Sequence, residues 1–196
     1  MDVLERCLYN SFLSGVSLTG ERFFYPNKLC SVNGNARSEW FPCACCPPNV
    51  VRFIPQVPAF FYASKPGELF VNLYGSSTAE PQVDGGAVSL KATSAYPWDG
   101  QVRLEVNPTQ TRAFTLRLRI PGWLEKPLPS DLYRYAEAGK TSATLKVNGQ
   151  VVPVQTVMGY ASIRRKWQSG DVVELELPMP ARLVLANDKV ITRLYP

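Results

Sequence analysis

Val3, Leu4, Cys7, Leu8 and Phe12 recur at three- and four-residue spacing, which predicts a helix over residues 2–14 that stops at Gly15. No period organises residues 16–46, where Gly20, Pro26, Asn33-Gly34 and Pro42 interrupt the chain. This stretch reads as a long ordered loop or a run of short strands. Loops of that length inside compact domains are usually functional or disordered. Phe23, Phe24, Tyr25, Trp40 and Phe41 argue against disorder. Pro47-Pro48 then open a second helix, because the first turn has no use for the missing N–H. Pro55 and Pro58 limit or kink it.

After about residue 66 the period changes to two. Thr115-Leu116-Arg117-Leu118-Arg119-Ile120 alternates strictly, and Leu69–Tyr74, Ala87–Thr93, Gln101–Val106 and Phe114–Ile120 read as strands. Thr144–Val147 and Val151–Val154 flank Asn148-Gly149, a strong hairpin signal. Tyr160–Arg164 and Val172–Leu177 add two more strands. Many short strands with turn residues between them predict an antiparallel β-sandwich. The expected layout is a helix-and-loop segment over 1–65, a mainly β domain over 66–184, and a tail over 185–196 ending at Leu194-Tyr195-Pro196.

The 196 residues are 45% hydrophobic, enough to bury a core in one ordinary domain or two small ones. There is no histidine. That removes Ser-His-Asp and Cys-His pairs, His-based zinc sites and imidazole bases from within the chain. The net charge of +5 suggests an anionic partner, but its distribution argues against nucleic acid. Arg164-Arg165-Lys166 is the one short basic cluster, and Arg117 and Arg119 alternate with apolar residues like the wet face of a strand. No apolar run approaches a bilayer span. Asp2 and Glu5 stand where an export signal would be cationic and then apolar, so none is visible. The compartment, cytoplasmic or periplasmic, and the oligomeric state are left open.

Three of the five cysteines fall together in Cys43-Ala44-Cys45-Cys46, followed by Pro47-Pro48-Asn49. Thiolate is a soft zinc ligand and a strong nucleophile, and a helix N-terminus lowers a thiol pKa. Three readings stand side by side: a metal site, a buried structural cluster, and a disulfide. Adjacent cysteines bridge only through a strained ring, and the count is odd. A structural zinc needs four ligands, and no second Cys-x-x-Cys completes the set. Cys7, on the apolar face of the first helix, is expected in the core, and Cys30 is isolated. Glu39 reads as a solvated loop carboxylate rather than an acid catalyst. Trp40, Phe41, Trp98 and Trp123 read as packing residues rather than sugar platforms.

These residues carry a resemblance. Asp2-Val3-Leu4-Glu5-Arg6-Cys7-Leu8-Tyr9-Asn10, Arg22-Phe23-Phe24-Tyr25-Pro26-Asn27 and Trp40-Phe41-Pro42-Cys43-Ala44-Cys45-Cys46-Pro47-Pro48-Asn49 resemble glycoside hydrolase family 127, the β-L-arabinofuranosidases. Arg52–Pro58, Tyr62-Ala63, Ile120-Pro121-Gly122-Trp123 and Val147-Asn148-Gly149 extend the likeness over most of the chain. Cys-Cys-Pro-Pro-Asn is its most specific part.

The resemblance implies a retaining hydrolase built as an (α/α)6 barrel followed by β-sandwich domains. Residues 1–65 would be the last barrel helices and the active-site loop. It also implies a zinc held by one Glu and three Cys, one of which attacks the anomeric carbon. Carried over, Cys45 would be nucleophile and zinc ligand, Cys46 a second ligand, Cys43 a bystander, and Tyr25 a sugar contact. The substrate would be an arabinose-containing oligosaccharide or glycan, with no nucleic-acid or membrane partner. Family members have several hundred residues before this segment, among them a Glu-x-Cys ligand pair, the acid/base Glu and the sugar-binding histidines. The expectation is therefore a C-terminal fragment begun at an internal Met and inactive alone. A rival from another class is a non-catalytic carbohydrate-binding or structural β-sandwich; a small zinc-binding interaction module is a third, disfavoured by the missing ligands.

Overall fold

The computed structural model describes residues 1–190 except 27, 29, 32, 33, 126, 127, 129, 130 and 138–140. The end of the expected tail, Leu194-Tyr195-Pro196, lies outside the described residues, as do Asn27 and Asn33 of the quoted motifs. The chain divides into two compact units, Met1–Phe61 and a unit that begins at Tyr62.

In the first unit the predicted first helix is helical throughout but not uniform. It runs as α1 (Asp2–Cys7), a π turn (Leu8–Phe12) and a 3-10 turn (Leu13–Gly15), and the backbone becomes extended at Val16. The second helix, α2 (Cys46–Phe53), carries Pro47 and Pro48 in its first turn. It tightens at Ile54 into a 3-10 segment ending at Phe60, and Pro55 and Pro58 lie in that segment. Proline lacks the N–H that an α-helix bond would need there. Between the helices the described loop holds two isolated bridges, Val16 with Phe23 and Phe23 with Ser38.

The expectation for Cys7 fails. Cys7 is exposed rather than buried. With Leu4, Leu8 and Phe12 it lines an open cavity of about 630 Å³, opposite Arg52 and Phe53. A helical period shows which residues share a face, not whether anything covers that face. Among the described residues, no helix is long and apolar enough to cross a membrane.

The second unit is mainly β. In chain order its strands begin with β1 (Tyr62–Lys65), β2 (Glu68–Val71), β3 (Ser77–Ala79), β4 (Gln82–Val83) and β5 (Gly86–Ser94). β6 (Gln101–Pro108), β7 (Arg112–Arg119), β8 (Tyr133–Tyr135), β9 (Thr144–Val147) and β10 (Gln150–Val152) follow. The last four are β11 (Thr156–Val157), β12 (Tyr160–Trp167), β13 (Asp171–Glu176) and β14 (Val184–Ala186). They form a five-stranded sheet in the order β1-β2-β7-β12-β11 and a larger sheet in the order β10-β9-β13-β6-β5-β3, with β4 paired to β5. β8 and β14 make a separate pair.

The expected wholly antiparallel arrangement is corrected at one place: β2 and β7 are parallel. The chain between them lays down four strands of the other sheet, β3 to β6, which gives the crossover the length a parallel pair requires. Alternation fixes what is inside. Leu69, Val71, Phe114, Leu116, Leu118, Ile163 and Trp167 are buried from the smaller sheet, and Val88, Leu90, Val102, Leu104, Val106, Leu145, Val173 and Leu175 from the larger.

The Asn148-Gly149 turn has both residues at positive φ, 50° and 78°, as a type I′ hairpin requires. Asn148 does more than turn the chain. Its Nδ2 donates to the buried Asp171 Oδ1 at 2.7 Å, and its Oδ1 accepts from the Val172 N–H at 2.8 Å. Asp171 also accepts from the Gln168 N–H at 3.0 Å. Asn148→Ala removes a donor to a buried carboxylate and leaves a Cβ residue without its compensating bonds at positive φ. It should destabilise the fold by about 1–3 kcal/mol in urea denaturation. A loss under about 0.5 kcal/mol, the ordinary surface range, would show that this network is not structural.

Two exposed tryptophans depart from the packing expected of them. Trp40 is 60% and Trp98 91% exposed. Trp98 follows the cis Tyr96-Pro97 bond, in a turn. Trp123 does pack, its Nε1 donating to the Tyr96 hydroxyl at 3.3 Å.

Candidate active site

The loop before α2 is held by its own backbone. Phe23 and Ser38 exchange N–H···O bonds of 2.8 and 2.9 Å, and the Phe24 N–H donates to the Gly15 carbonyl at 2.9 Å. Side chains reinforce it. Arg37 lies 4.4 Å from the Phe24 ring centroid and donates to the Ser14 carbonyl at 2.6 Å. Arg22 pairs with Glu39 at 2.6 Å, both well exposed. Glu39 is therefore a solvated carboxylate with a cationic partner, as expected for it. The ring of Tyr25 then packs edge-on against Phe41, with centroids 5.4 Å apart.

That packing aims the Tyr25 hydroxyl at the cysteine cluster. Cys45 caps α2, and its Sγ lies 3.1 Å from the Tyr25 hydroxyl. Cys46, the first residue of α2, brings its Sγ to 3.8 Å from that of Cys45 and 3.9 Å from the Tyr25 carbonyl oxygen. Asn49 fixes the turn: its Nδ2 donates to the Cys45 carbonyl at 2.8 Å, and Arg52 donates to its Oδ1 at 2.5 Å. Cys43 and Cys45 are exposed and Cys46 is half-buried.

Electrostatics within this group are unequal. The Tyr25 hydrogen bond, with a smaller contribution from Cys46, draws the Cys45 thiol below its ordinary value. The same bond raises Tyr25, and the contact with Cys45 raises Cys46. Cys45 is thus the group that ionises first, with a phenol donor and a neighbouring thiol to carry its charge. From sequence, the helix N-terminus was the expected reason for a thiolate here. The tyrosine hydrogen bond is the leading cause, ahead of those from the backbone of Cys46 and Cys45.

The three residues singled out from sequence, Tyr25, Cys45 and Cys46, are thus brought together. Cys7 and Cys30 are exposed. Sequence reasoning missed Asn49 and Phe41 as positioning residues. Asn49 had a legible signal, since it stands four residues after the N-cap, where a side chain reaches back to the cap carbonyl.

The cysteine pair fits two corners of a zinc site. Zn–S bonds of about 2.3 Å at tetrahedral angles separate the sulfurs by about 3.8 Å, the distance found between Cys45 and Cys46. Among the described residues, no group of three or more Cys, Asp or Glu side chains is placed to complete such a site.

Comparison with known proteins matches both units. The profile of the GH127 β-L-arabinofuranosidase catalytic domain covers residues 1–59, and that of the GH127 middle domain covers residues 68–179. The non-reducing end β-L-arabinofuranosidase of Bifidobacterium longum is 31% identical over 207 residues, which take in 96% of this chain and 28% of the relative. The solved GH127 β-arabinofuranosidase BT3674 superposes with a TM-score of 0.88 at 50% identity, over 96% of this chain and 30% of that one. Ara127N-Se, a GH127 β-L-arabinofuranosidase from Geobacillus stearothermophilus T6, gives 0.84 at 38% identity, over 98% and 30%. The chain therefore spans under a third of the length of these relatives. With a profile match over more than half its residues and structural likeness across both units, the chain belongs to the GH127 β-L-arabinofuranosidase family.

Proposed function

We propose that this chain supplies the cysteine half of a glycoside hydrolase site that removes non-reducing-end β-L-arabinofuranose from arabinose-containing glycans, with retention. The observation that carries the reading is the Cys45 thiol, drawn toward thiolate by the Tyr25 hydroxyl at 3.1 Å and lying 3.8 Å from Cys46 Sγ. The family's relatives, named as β-L-arabinofuranosidases, support the substrate class. Residues 1–65 would be the closing helices and active-site loop of an (α/α)6 barrel, and 66–184 the β-sandwich that follows.

Cys45 Sγ attacks the anomeric carbon, forming a C–S bond as the bond to the leaving oxygen breaks. That oxygen takes a proton from an acid outside these residues. Water, deprotonated by the same group, then attacks the anomeric carbon from the other face and Cys45 departs as thiolate. Two inversions give net retention. The downward shift that makes Cys45 a readier nucleophile also makes it a better leaving group, and Tyr25 donates to the thiolate at both ends of the cycle. Cys45 and Cys46 would hold two corners of a zinc, which when bound lowers the pKa of both thiols. The other two ligands come from outside the described residues, so the 196-residue chain alone is inactive.

The complete gene product is expected to release nitrophenol from a nitrophenyl β-L-arabinofuranoside and to carry about one zinc per chain. Cys46→Ala should drop that stoichiometry to below about a third while the fold, read by circular dichroism, persists. Absence of nitrophenol release would sink the glycosidase reading. Undiminished zinc in Cys46→Ala would remove that residue from the ligand set.

A further inference from the structure

The net charge of +5 has no role in the cysteine site, and the strand order shows where part of it collects. In the smaller sheet, Lys65 pairs with Glu68, Glu68 with Thr115, and Thr115 with Arg164, so these four lie in one row across four strands. The adjoining row sets Phe70 against Arg117 and Arg117 against Ser162. Lys166 follows Arg164 on the same face of β12. Phe70 and Tyr160 meet edge to face at 5.5 Å. The Lys65 ammonium and Arg117 guanidinium lie 5.5 and 5.7 Å from the Phe70 ring centroid.

By its alternation this face carries five cations; Arg119, expected on a wet face, is buried, and the other four, Lys65, Arg117, Arg164 and Lys166, stand against the single carboxylate of Glu68, which Arg117 and Lys65 share. Arg164 and Lys166 are exposed and have no carboxylate partner among the described residues.

The outward face of the larger sheet is its internal control. There Lys91, Arg103 and Lys146 meet Glu105, Glu174 and Glu176, three against three. The register pairs Lys91 with Glu105, and Glu174 with both Lys146 and Arg103. Arg103 lies 3.7 Å from each of Glu105 and Glu174. Solubility is served by such mixed, self-cancelling charge; uncompensated charge of one sign on one face raises the local concentration of the opposite sign.

We propose that the outward face of the β1-β2-β7-β12-β11 sheet binds a uronate-bearing polysaccharide, its carboxylates on Lys65, Arg117, Arg164 and Lys166 and a sugar ring against Phe70. Such a face holds the enzyme on the acidic backbone of a glycan whose neutral arabinose ends it trims. That the polyanion is a carbohydrate rests on the glycosidase reading above. The charge asymmetry stands without it.

Binding is read without turnover, so the two readings fail separately. The full chain is titrated at low ionic strength with polygalacturonate, with its methyl ester, and with a single-stranded RNA oligomer. Polygalacturonate is expected to bind, and to release as salt shortens the screening length. The methyl ester and RNA should bind at least about tenfold more weakly. Arg164→Glu with Lys166→Glu should weaken polygalacturonate binding at least about tenfold, while Lys91→Glu with Lys146→Glu, the same change in net charge on the other face, should keep it within about threefold. If the first double variant does not fold, Arg164→Gln with Lys166→Gln takes its place. Equal weakening by both double variants would overturn the proposal, as would equal binding of the methyl ester, tighter binding of RNA, or no polygalacturonate binding at low salt.

Discussion

Cys45→Ser in the complete gene product is expected to lower arabinofuranoside turnover by at least about a thousandfold, chiefly in kcat, with little change in KM. Serine preserves the shape of the side chain but not its chemistry. A thiol drawn below its ordinary value by Tyr25 ionises more readily than a free one, whereas a hydroxyl in the same place stays protonated. The defect belongs to the bond-forming step, so single-turnover kinetics should show loss of the burst rather than slower product release. Mass spectrometry of the wild type, quenched with substrate, should find a pentosyl adduct on the Cys45 peptide and none in the variant. A variant within about threefold of the wild-type rate would exclude Cys45 as the nucleophile, whatever the fate of the metal.

The largest expected effect on stability is at Trp167. It is fully buried, its Nε1 donates to the Phe114 carbonyl at 3.1 Å, and its ring stacks on that of Phe114 with centroids 5.6 Å apart. Arg165 lies 5.3 Å from the Trp167 ring centroid. Trp167→Ala deletes the largest fully buried side chain among the described residues and opens a cavity that closely packed sheets cannot close. The expected loss is about 3–5 kcal/mol in urea denaturation. Trp167→Phe restores most of the volume without the N–H donor, and should cost less than half as much. A loss under about 1.5 kcal/mol in Trp167→Ala would mean that the two sheets relax into the space, contrary to the packing described.

These predictions differ in where their support lies. Trp167 stands at the end of a segment that alternates by itself, and its inward direction follows from Ala161 and Ile163 before it. Cys45 is different: nothing in Cys-Ala-Cys-Cys says which sulfur ionises. Helix capping was the local argument, and it applies to Cys45 and Cys46 almost equally. The phenol twenty residues earlier breaks the tie, because only Cys45 has it as a side-chain partner.

The local sequence determined the elements. Period-two runs became β5, β6, β7, β12 and β13, Asn148-Gly149 became a tight turn at positive φ, and Pro47-Pro48 opened α2. Each of these rests on interactions within a few residues, which the sequence displays directly. Tertiary structure alone decided three other things. It set β2 parallel to β7, left Cys7 on an open groove, and carried Lys65, Arg117, Arg164 and Lys166 onto one face. Arg117 looks like an ordinary wet-face cation on its own strand, and Arg164 and Lys166 like part of a short basic cluster. Their charges add only because β7 and β12 are neighbours, and strand order is set by long-range pairing that no local pattern encodes.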